Sequence, residues 1–410
     1  MWRGTPATAS PSDFGHSANP RPAARFASGR RDPDNKTQQV RRMNTHFQND
    51  LVEILKERSA KGQISRRQVL KGFGALMGTT ALGAGAAKAQ DNRLVFVNWG
   101  GDALDAMDEA FGTPFTEETG IPVLYDGSGP TEGAITAQVQ GGNPTWDLVD
   151  ADPFSSQALG RKGLMEPIDY DIVDESKQRE GFGWEYSSSC YFYSYVIAYD
   201  ATQFDEPPTS IADFFDTEKF PGKRSMYKWG AGMWEAALLA DGVAPEDLYP
   251  LDLERAHAKI DSFKEHIGAF WGGGAESQSL LLNGDVSMAL IWNTRASLLH
   301  KDTEGEITFT WQDGIIGPGG IGVLKGNPGG TEAAMRYIAA TQDPERQVVL
   351  FQMLGNAPSN PAADALIPED ERRFNAMDPE NRQKQIALDT DWYEENYGAA
   401  LDAYLQIISA

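Results

Sequence analysis

Leu94-Val95-Phe96-Val97, followed by Asn98-Trp99-Gly100-Gly101 and Asp102, is the stretch that decides the fold. The apolar run is a short, buried-type strand, and the Asn-Trp-Gly-Gly run is a turn. Asp102 stands as a helix N-cap, with Asp105 in a capping-box-like position. Leu104, Met107, Phe111 and Phe115 recur at helical spacing, and Pro114 predicts a kink late in the helix. Gly120 ends it, and Ile121–Leu124 is the next strand. The pattern repeats. Thr131–Gln140 is helical, Trp146–Val149 is a strand, and Pro153–Arg161 is a helix capped by Asp152. Alternation of this kind implies an α/β fold with largely parallel sheets.

Further on, Tyr191–Tyr199 is a long β-prone run with no breaker, and Val286–Trp292 follows the turn Asn283-Gly284-Asp285. Strands this long can pass from one lobe to another, so two of them predict lobes that are discontinuous in sequence. After Thr331 the chain is mostly helical, over Glu332–Thr341, Pro344–Leu354 and Asp391–Ile408.

The N-terminal part has a different character. Residues 1–42 are rich in Arg, Pro, Ser and Ala and read as a disordered or over-extended leader ahead of Met43. Within 43–89, Ser65-Arg66-Arg67-Gln68-Val69-Leu70-Lys71 places a twin arginine before the apolar stretch Gly72–Ala86. Ala87-Lys88-Ala89 then offers a cleavage site. The order of these parts predicts a Tat export signal. Cutting after Ala89 leaves 21 basic and 53 acidic residues, a formal charge of −32 against −23 for the whole chain. Such a surface repels nucleic acid and anionic lipid. Cys190 is the sole cysteine, and His257, His266 and His300 have no ligand spacing, so no disulfide, metal or other cofactor is expected.

Ordered phrases along the exported part carry a family resemblance: Asn98-Trp99-Gly100, Glu117–Val123, Gly142–Val149, Pro208-Thr209-Ser210 with Phe220–Arg224, Asn283–Val286 with Trp292-Asn293, and Pro358–Pro361. Together they resemble the spermidine/putrescine-binding branch of ABC-transporter periplasmic solute-binding proteins. The resemblance implies a two-lobed type II periplasmic-binding-protein fold with two interlobe crossing strands. It also implies a ligand cleft, an ABC permease as partner, a periplasmic monomer and no catalysis. The lobes are expected over 90–195 plus 293–345 and over 196–292 plus 346–410.

Candidate ligand residues follow from position. Trp99 lies in the first βα turn, where it either stacks on a ligand or packs in the core. Ser128 and Thr131 sit at a helix start as caps or as anion contacts. Asp152 binds an amine or caps its helix, and Ser155 lies on the same edge. Tyr191, Tyr193 and Tyr195 share one strand face and read as hinge or core rather than as iron ligands. Trp229 and Trp271 stand beside glycines, with Ser277 and Gln278 nearby. Trp292 matches the family's pocket tryptophan. Polyamine receptors cage ammonium groups with carboxylates and aromatic faces, but here the second-lobe stretch Met226–Gly232 has no acid. Arg295 follows Trp292 instead, as a fork for a carboxylate or phosphonate, or as half of an interlobe salt bridge. The favoured ligand is therefore a small polar, amino acid-like anion. One alternative is a polyamine held by Asp126, Asp152 and Glu276. A carbohydrate-active hydrolase is a further alternative, although no catalytic motif is present. A sensory ligand module would carry the same sequence features.

Overall fold

A computed structural model describes residues 93–410. The expected leader and export signal lie outside these residues. The chain begins with β1 (Leu94–Val97) and turns into a helix that runs as α1 (Asp102–Met107), a π stretch (Asp108–Gly112) and α2 (Thr113–Thr119). The N-cap is Gly101, one residue earlier than expected, and no side chain caps the helix. The expected kink takes the form of the π stretch. Pro114 has no N–H to donate back along the helix, and the wider turns precede it.

The alternation continues through β2 (Val123–Asp126), α3 (Glu132–Gln140), β3 (Leu148–Asp150), α4 (Pro153–Arg161), β4 (Met165–Glu166) and β5 (Ser188–Asp200). Next come α5 (Ile211–Phe215), β6 (Arg224–Tyr227), α6 (Met233–Ala240), α7 (Leu253–Phe263), β7 (Ile267–Trp271), α8 (Gly274–Leu282) and β8 (Met288–Trp292). The chain ends with α9 (Asn293–Asp302), β9 (Ile307–Leu324), α10 (Thr331–Thr341), α11 (Pro344–Leu354), β10 (Ala357–Pro358), α12 (Pro379–Arg382), β11 (Gln385–Ala387) and α13 (Thr390–Ser409).

The strands form one sheet in the order β2-β1-β3-β9-β5-β8-β6-β7. β1 runs parallel to β2 and β3, and β6 runs parallel to β7 and β8. Between these parallel blocks lies an antiparallel ribbon of β5 and β9, paired from Ser188↔Ile321 to Asp200↔Ile307 with register shifts between Ser189 and Tyr191 and between Tyr195 and Ile197. One end of β9 pairs with β3, and the other half of β5 pairs with β8. The ribbon is thus shared by both halves of the molecule. The sequence places the second crossing in Val286–Trp292. The structure puts it in β9 instead, and β8 is a short strand inside the second block. Gly317-Pro318-Gly319-Gly320 hides this strand from propensity reading, because Gly and Pro are weak strand formers.

The first block packs Phe96, Met107, Phe111 and Phe115 on one face of its sheet, and Val97, Ile135, Trp146 and Leu159 on the other. In the second block Trp234 and Trp271 are fully buried. Helix α11, of which residues 346–354 are expected in the second lobe, packs against α1 and the π stretch. The last helix, α13, packs on α4 and α7.

Arg224 fixes the entry to the second block. Its side chain is fully buried and donates to the carbonyls of Phe214 (2.8 Å), Gly222 (2.9 Å) and Phe220, and to Ser287 Oγ (3.1 Å). Replacing it would strand several buried acceptors, each costing about 1–3 kcal/mol. Arg224→Met is expected to destabilise the protein by about 3–5 kcal/mol. Urea unfolding should show this as a lower midpoint at unchanged slope. Arg224→Lys should recover little, since an ammonium lacks the planar fork.

Candidate functional site

β3 ends at Asp150, and Ala151-Asp152 follow it at the C-terminal edge of the first parallel block, where α/β sheets gather ligands. β5 crosses behind it with Tyr191 and Tyr193 on one face, two residues apart. Tyr191 Oη donates to Asp150 Oδ1 at 2.5 Å, and Tyr193 Oη donates to Asp152 Oδ1 at 2.6 Å. Burial pushes Asp150 up to about 7, with the Tyr191 bond and the Arg295 charge pulling back and Asp152 repelling. Burial likewise pushes Asp152 up to about 6 against the Tyr193 bond. Asp152 occupies the N-cap position of α4, but its carboxylate does not bond the helix amides. Burial pushes the hydroxyls of Tyr191, Tyr193 and Tyr195 well above their usual range, and the first two donate to the carboxylates.

Aromatic rings close around these acids. Tyr227 ends β6, Trp292 ends β8, and Trp99 stands in the first turn. Ring centroids lie 6.0 Å apart for Trp99–Trp292, 6.4 Å for Trp99–Tyr227 and 5.2 Å for Tyr227–Trp292. Trp99 Nε1 donates to the Asp150 carbonyl at 3.1 Å, which orients its ring over the end of β3.

Arg295 lies in the first turn of α9 and is 2% exposed. Nη2 donates to the Gly100 carbonyl at 3.1 Å, and Nε is buried without a hydrogen-bond partner. It forms no ion pair within 4 Å among the described residues, so the interlobe salt bridge is absent there. Burial pulls its pKa down from the usual value, while Asp102, Tyr191 and Asp150 oppose the shift. A Cβ at residue 274 would fall 2.2 Å from Arg295 Nε, so only glycine leaves the guanidinium its place.

Two adjoining cavities result, which share part of their lining. The inner one is about 50 Å³ and is bounded by Trp99, Asp150, Asp152, Tyr191, Tyr193, Tyr195, Tyr227, Trp292 and Arg295. The outer one is about 360 Å³ and shares Trp99, Ala151, Asp152 and Tyr227 with the first, adding Glu132, Ser155, Trp229 and Tyr397.

Residues 110–379 match the family of bacterial extracellular solute-binding proteins. The chain belongs to this family. A γ-aminobutyric acid-binding protein of Pseudomonas aeruginosa is 30% identical over 319 residues, covering 76% of this chain and 90% of its own. An ABC transporter substrate-binding protein from Bradyrhizobium japonicum USDA 110 is 34% identical, with a TM-score of 0.71, covering 77% of this chain and 99% of its own. A GABA receptor structure (Atu4243) is 34% identical, with a TM-score of 0.69 and coverage of 77% and 97%. The fold is the two-lobed periplasmic-binding-protein fold, and the chain is a receptor for a small polar solute. Proteins of this family work outside the cytoplasmic membrane, where they bind small ligands and deliver them to an ABC permease.

Within this receptor the residues singled out by sequence separate into groups. Trp99, Asp152, Trp292 and Arg295 line the inner cavity, and Ser155 and Trp229 line the outer one. Trp271, Ser277 and Ser128 line neither. Trp271 lies behind Tyr227 and Trp292, fully buried, with Nε1 donating to the Leu290 carbonyl. Ser277 Oγ is spent on the Gly274 carbonyl of its own helix, and Ser128 is exposed on a loop. Thr131 caps α3 by accepting from the Ala134 amide. Of the alternative polyamine set, Asp152 lines both cavities, while the other two acids are engaged elsewhere. Asp126 accepts from Ser128 N and Trp146 Nε1, and Glu276 accepts from Gly272 N. Sequence analysis passed over Asp150 and Tyr227 and read the tyrosine row as hinge or core. The Asp-Ala-Asp alternation at a strand end was the available signal.

The raised carboxyls predict a pH dependence. An unfolded Asp titrates near pH 3.9. Between about pH 4 and 7 the folded protein therefore holds more protons than the unfolded chain, and stability falls as pH rises. Removing both groups should remove this contribution. Ligand-free wild type is expected to lose melting temperature between pH 5 and 8 relative to the double variant Asp150→Asn/Asp152→Asn. A constant difference across that range would contradict the assignment.

Proposed function

We propose that the receptor captures a small ω-amino acid-like zwitterion, of which γ-aminobutyrate is the simplest instance, in the inner cavity. One observation carries this reading. A buried guanidinium without an ionic partner stands with two buried carboxylates around a chamber walled by aromatic rings. The ligand carboxylate meets Arg295 as a charge-assisted pair. The ligand ammonium meets Asp150 and Asp152, with Trp99, Tyr227 and Trp292 offering ring faces. The two relatives whose names specify γ-aminobutyric acid support the choice.

The ligand-binding set in this reading is Trp99, Asp152, Trp292 and Arg295 from sequence, joined by Asp150, Tyr191, Tyr193 and Tyr227. A polyamine suits the chamber poorly, because a second ammonium would face Arg295. Three further readings carry forward. The protein leaves the cell interior through the Tat route, on the motif Arg66-Arg67 and the stretch after it. It works as a monomer without nucleic-acid partners or catalysis, including glycoside hydrolysis. The lobes divide within the β5–β9 ribbon, approximately as 90–195 plus 293–345 and 196–292 plus 346–410, with α11 moved to the first. Ligand in the cleft stabilises the closed pair of lobes that a permease recognises.

Titration followed by intrinsic tryptophan fluorescence tests the reading. γ-Aminobutyrate should bind, and putrescine and spermidine should not. Arg295→Ala should weaken γ-aminobutyrate by at least about thirtyfold, the scale of losing one partner of a buried charge pair. Unchanged affinity in that variant, or binding of polyamines alone, would overturn it.

A further inference from the structure

We infer that the outer cavity is a second subsite that selects ligands carrying a further cationic group, and that Glu132 is its specificity-determining residue. This inference rests on the zwitterion reading of the inner cavity. The argument begins with charge order. Arg295 lines the inner cavity alone, Asp152 lines both, and Glu132 lines the outer cavity alone. Arg295 and Asp150 thus mark the inner end of the cleft, and from Asp152 outward its charged lining is acidic only.

Glu132 begins α3 and is half-buried. Its Oε1 accepts from Ser155 Oγ at 3.0 Å, which aims the carboxylate at the start of α4 and toward the space beside Asp152. Burial raises its pKa above the usual range, the expected cost of holding an acid where no basic side chain lines the wall. Lys162 lowers that pKa through charge but does not line the cavity, and Lys228 lies 5.3 Å from the Trp229 ring without lining it either.

The remaining walls are aromatic. Trp229 Nε1 donates to the Gly272 carbonyl at 3.2 Å, and Tyr397 Oη donates to the Trp229 carbonyl at 3.0 Å. These bonds point the polar edges of both side chains at the backbone and leave ring surface for the cavity. Aromatic faces with carboxylates, and no lining cation, form the kind of surroundings that hold an ammonium or guanidinium. Size agrees with this. The outer cavity, about 360 Å³ against about 50 Å³ for the inner one, leaves room for a ligand that extends past Asp152. The implied ligand class is an acid with two cationic groups.

Isothermal titration of the purified whole chain tests this, with γ-aminobutyrate as the one-cation probe and L-ornithine, L-lysine and L-arginine as two-cation probes. At least one two-cation acid should bind wild type. Glu132→Gln should weaken it about tenfold, the scale of losing a charge-assisted hydrogen bond, and leave γ-aminobutyrate within about twofold. Glu132→Asp keeps the charge and should retain most of the affinity. The inference falls if Glu132→Gln weakens both probe classes equally or neither. It also falls, with the inner-cavity reading intact, if γ-aminobutyrate binds and no two-cation acid does. Failure of every carboxylate to bind, or affinities indifferent to Arg295→Ala, would instead mark failure of the inner-cavity reading and take this inference with it.

Discussion

The pairing of β5 with β9 is the constraint on which the rest depends. Both strands are buried over most of their length, and each carries hydrogen bonds to both neighbours. Register therefore decides which side chains face the cleft. With side chains alternating, Tyr191, Tyr193 and Tyr195 face the chamber while Phe192 and Ser194 face away. A slip of one residue would exchange the two sets. The same register carries Tyr191 to Asp150, because β9 pairs with β3 on its other edge. Between Tyr195 and Ile197 the pairing is interrupted, and β9 detours through Trp311–Gly314, where Asp313 adopts a φ of 55°. The ribbon is thus irregular along the length where its partners change from one block to the other. A bend there disturbs the fewest ladder bonds.

Burying charge around this ribbon is costly, and the structure offsets the cost unevenly. Asp150 and Asp152 each receive a short tyrosine bond, which favours their ionised forms while burial opposes them. Arg295 receives one carbonyl, with its Nε unsatisfied. A buried ion that lacks its counter-ion destabilises a fold. Groups left in that condition gather at functional sites, where binding supplies what folding omits.

Much of this was legible in the chain. The βα alternation follows from the spacing of Leu104, Met107, Phe111 and Phe115 and from the turns around them, and the late helices fall within a residue of their expected ends. Trp292 and Arg295 were legible because an aromatic and a cation stand where the resembled family keeps an aromatic and an acid. β9 was not, since its Gly-Pro-Gly-Gly run has poor local strand propensity and is held extended by neighbours on both sides. Nor was Trp271, whose glycine-rich surroundings suggested a ligand although its indole is needed behind Tyr227. Asp150 was missed for a related reason. Its role comes from Tyr191, 41 residues away, and no local pattern reports a contact of that span.

Arg295 owes its position to glycines in two distant segments. Gly100, at a φ of 72°, presents its carbonyl to the guanidinium, and a Cβ there would lie 2.9 Å from the Gly127 carbonyl. Gly274 leaves the space that Nε and Nη2 occupy. A Cβ on Gly101 would touch Ala275 at 3.4 Å, so the turn after β1 lies directly against the start of α8. The guanidinium therefore sits where the first block's opening turn meets a helix of the second. Contacts between the blocks at this point and the ligand contact proposed above use the same side chain. An acid here could satisfy neither the Gly100 carbonyl nor an anionic ligand, so exchanging acid for arginine alters ligand charge preference and interblock contact together.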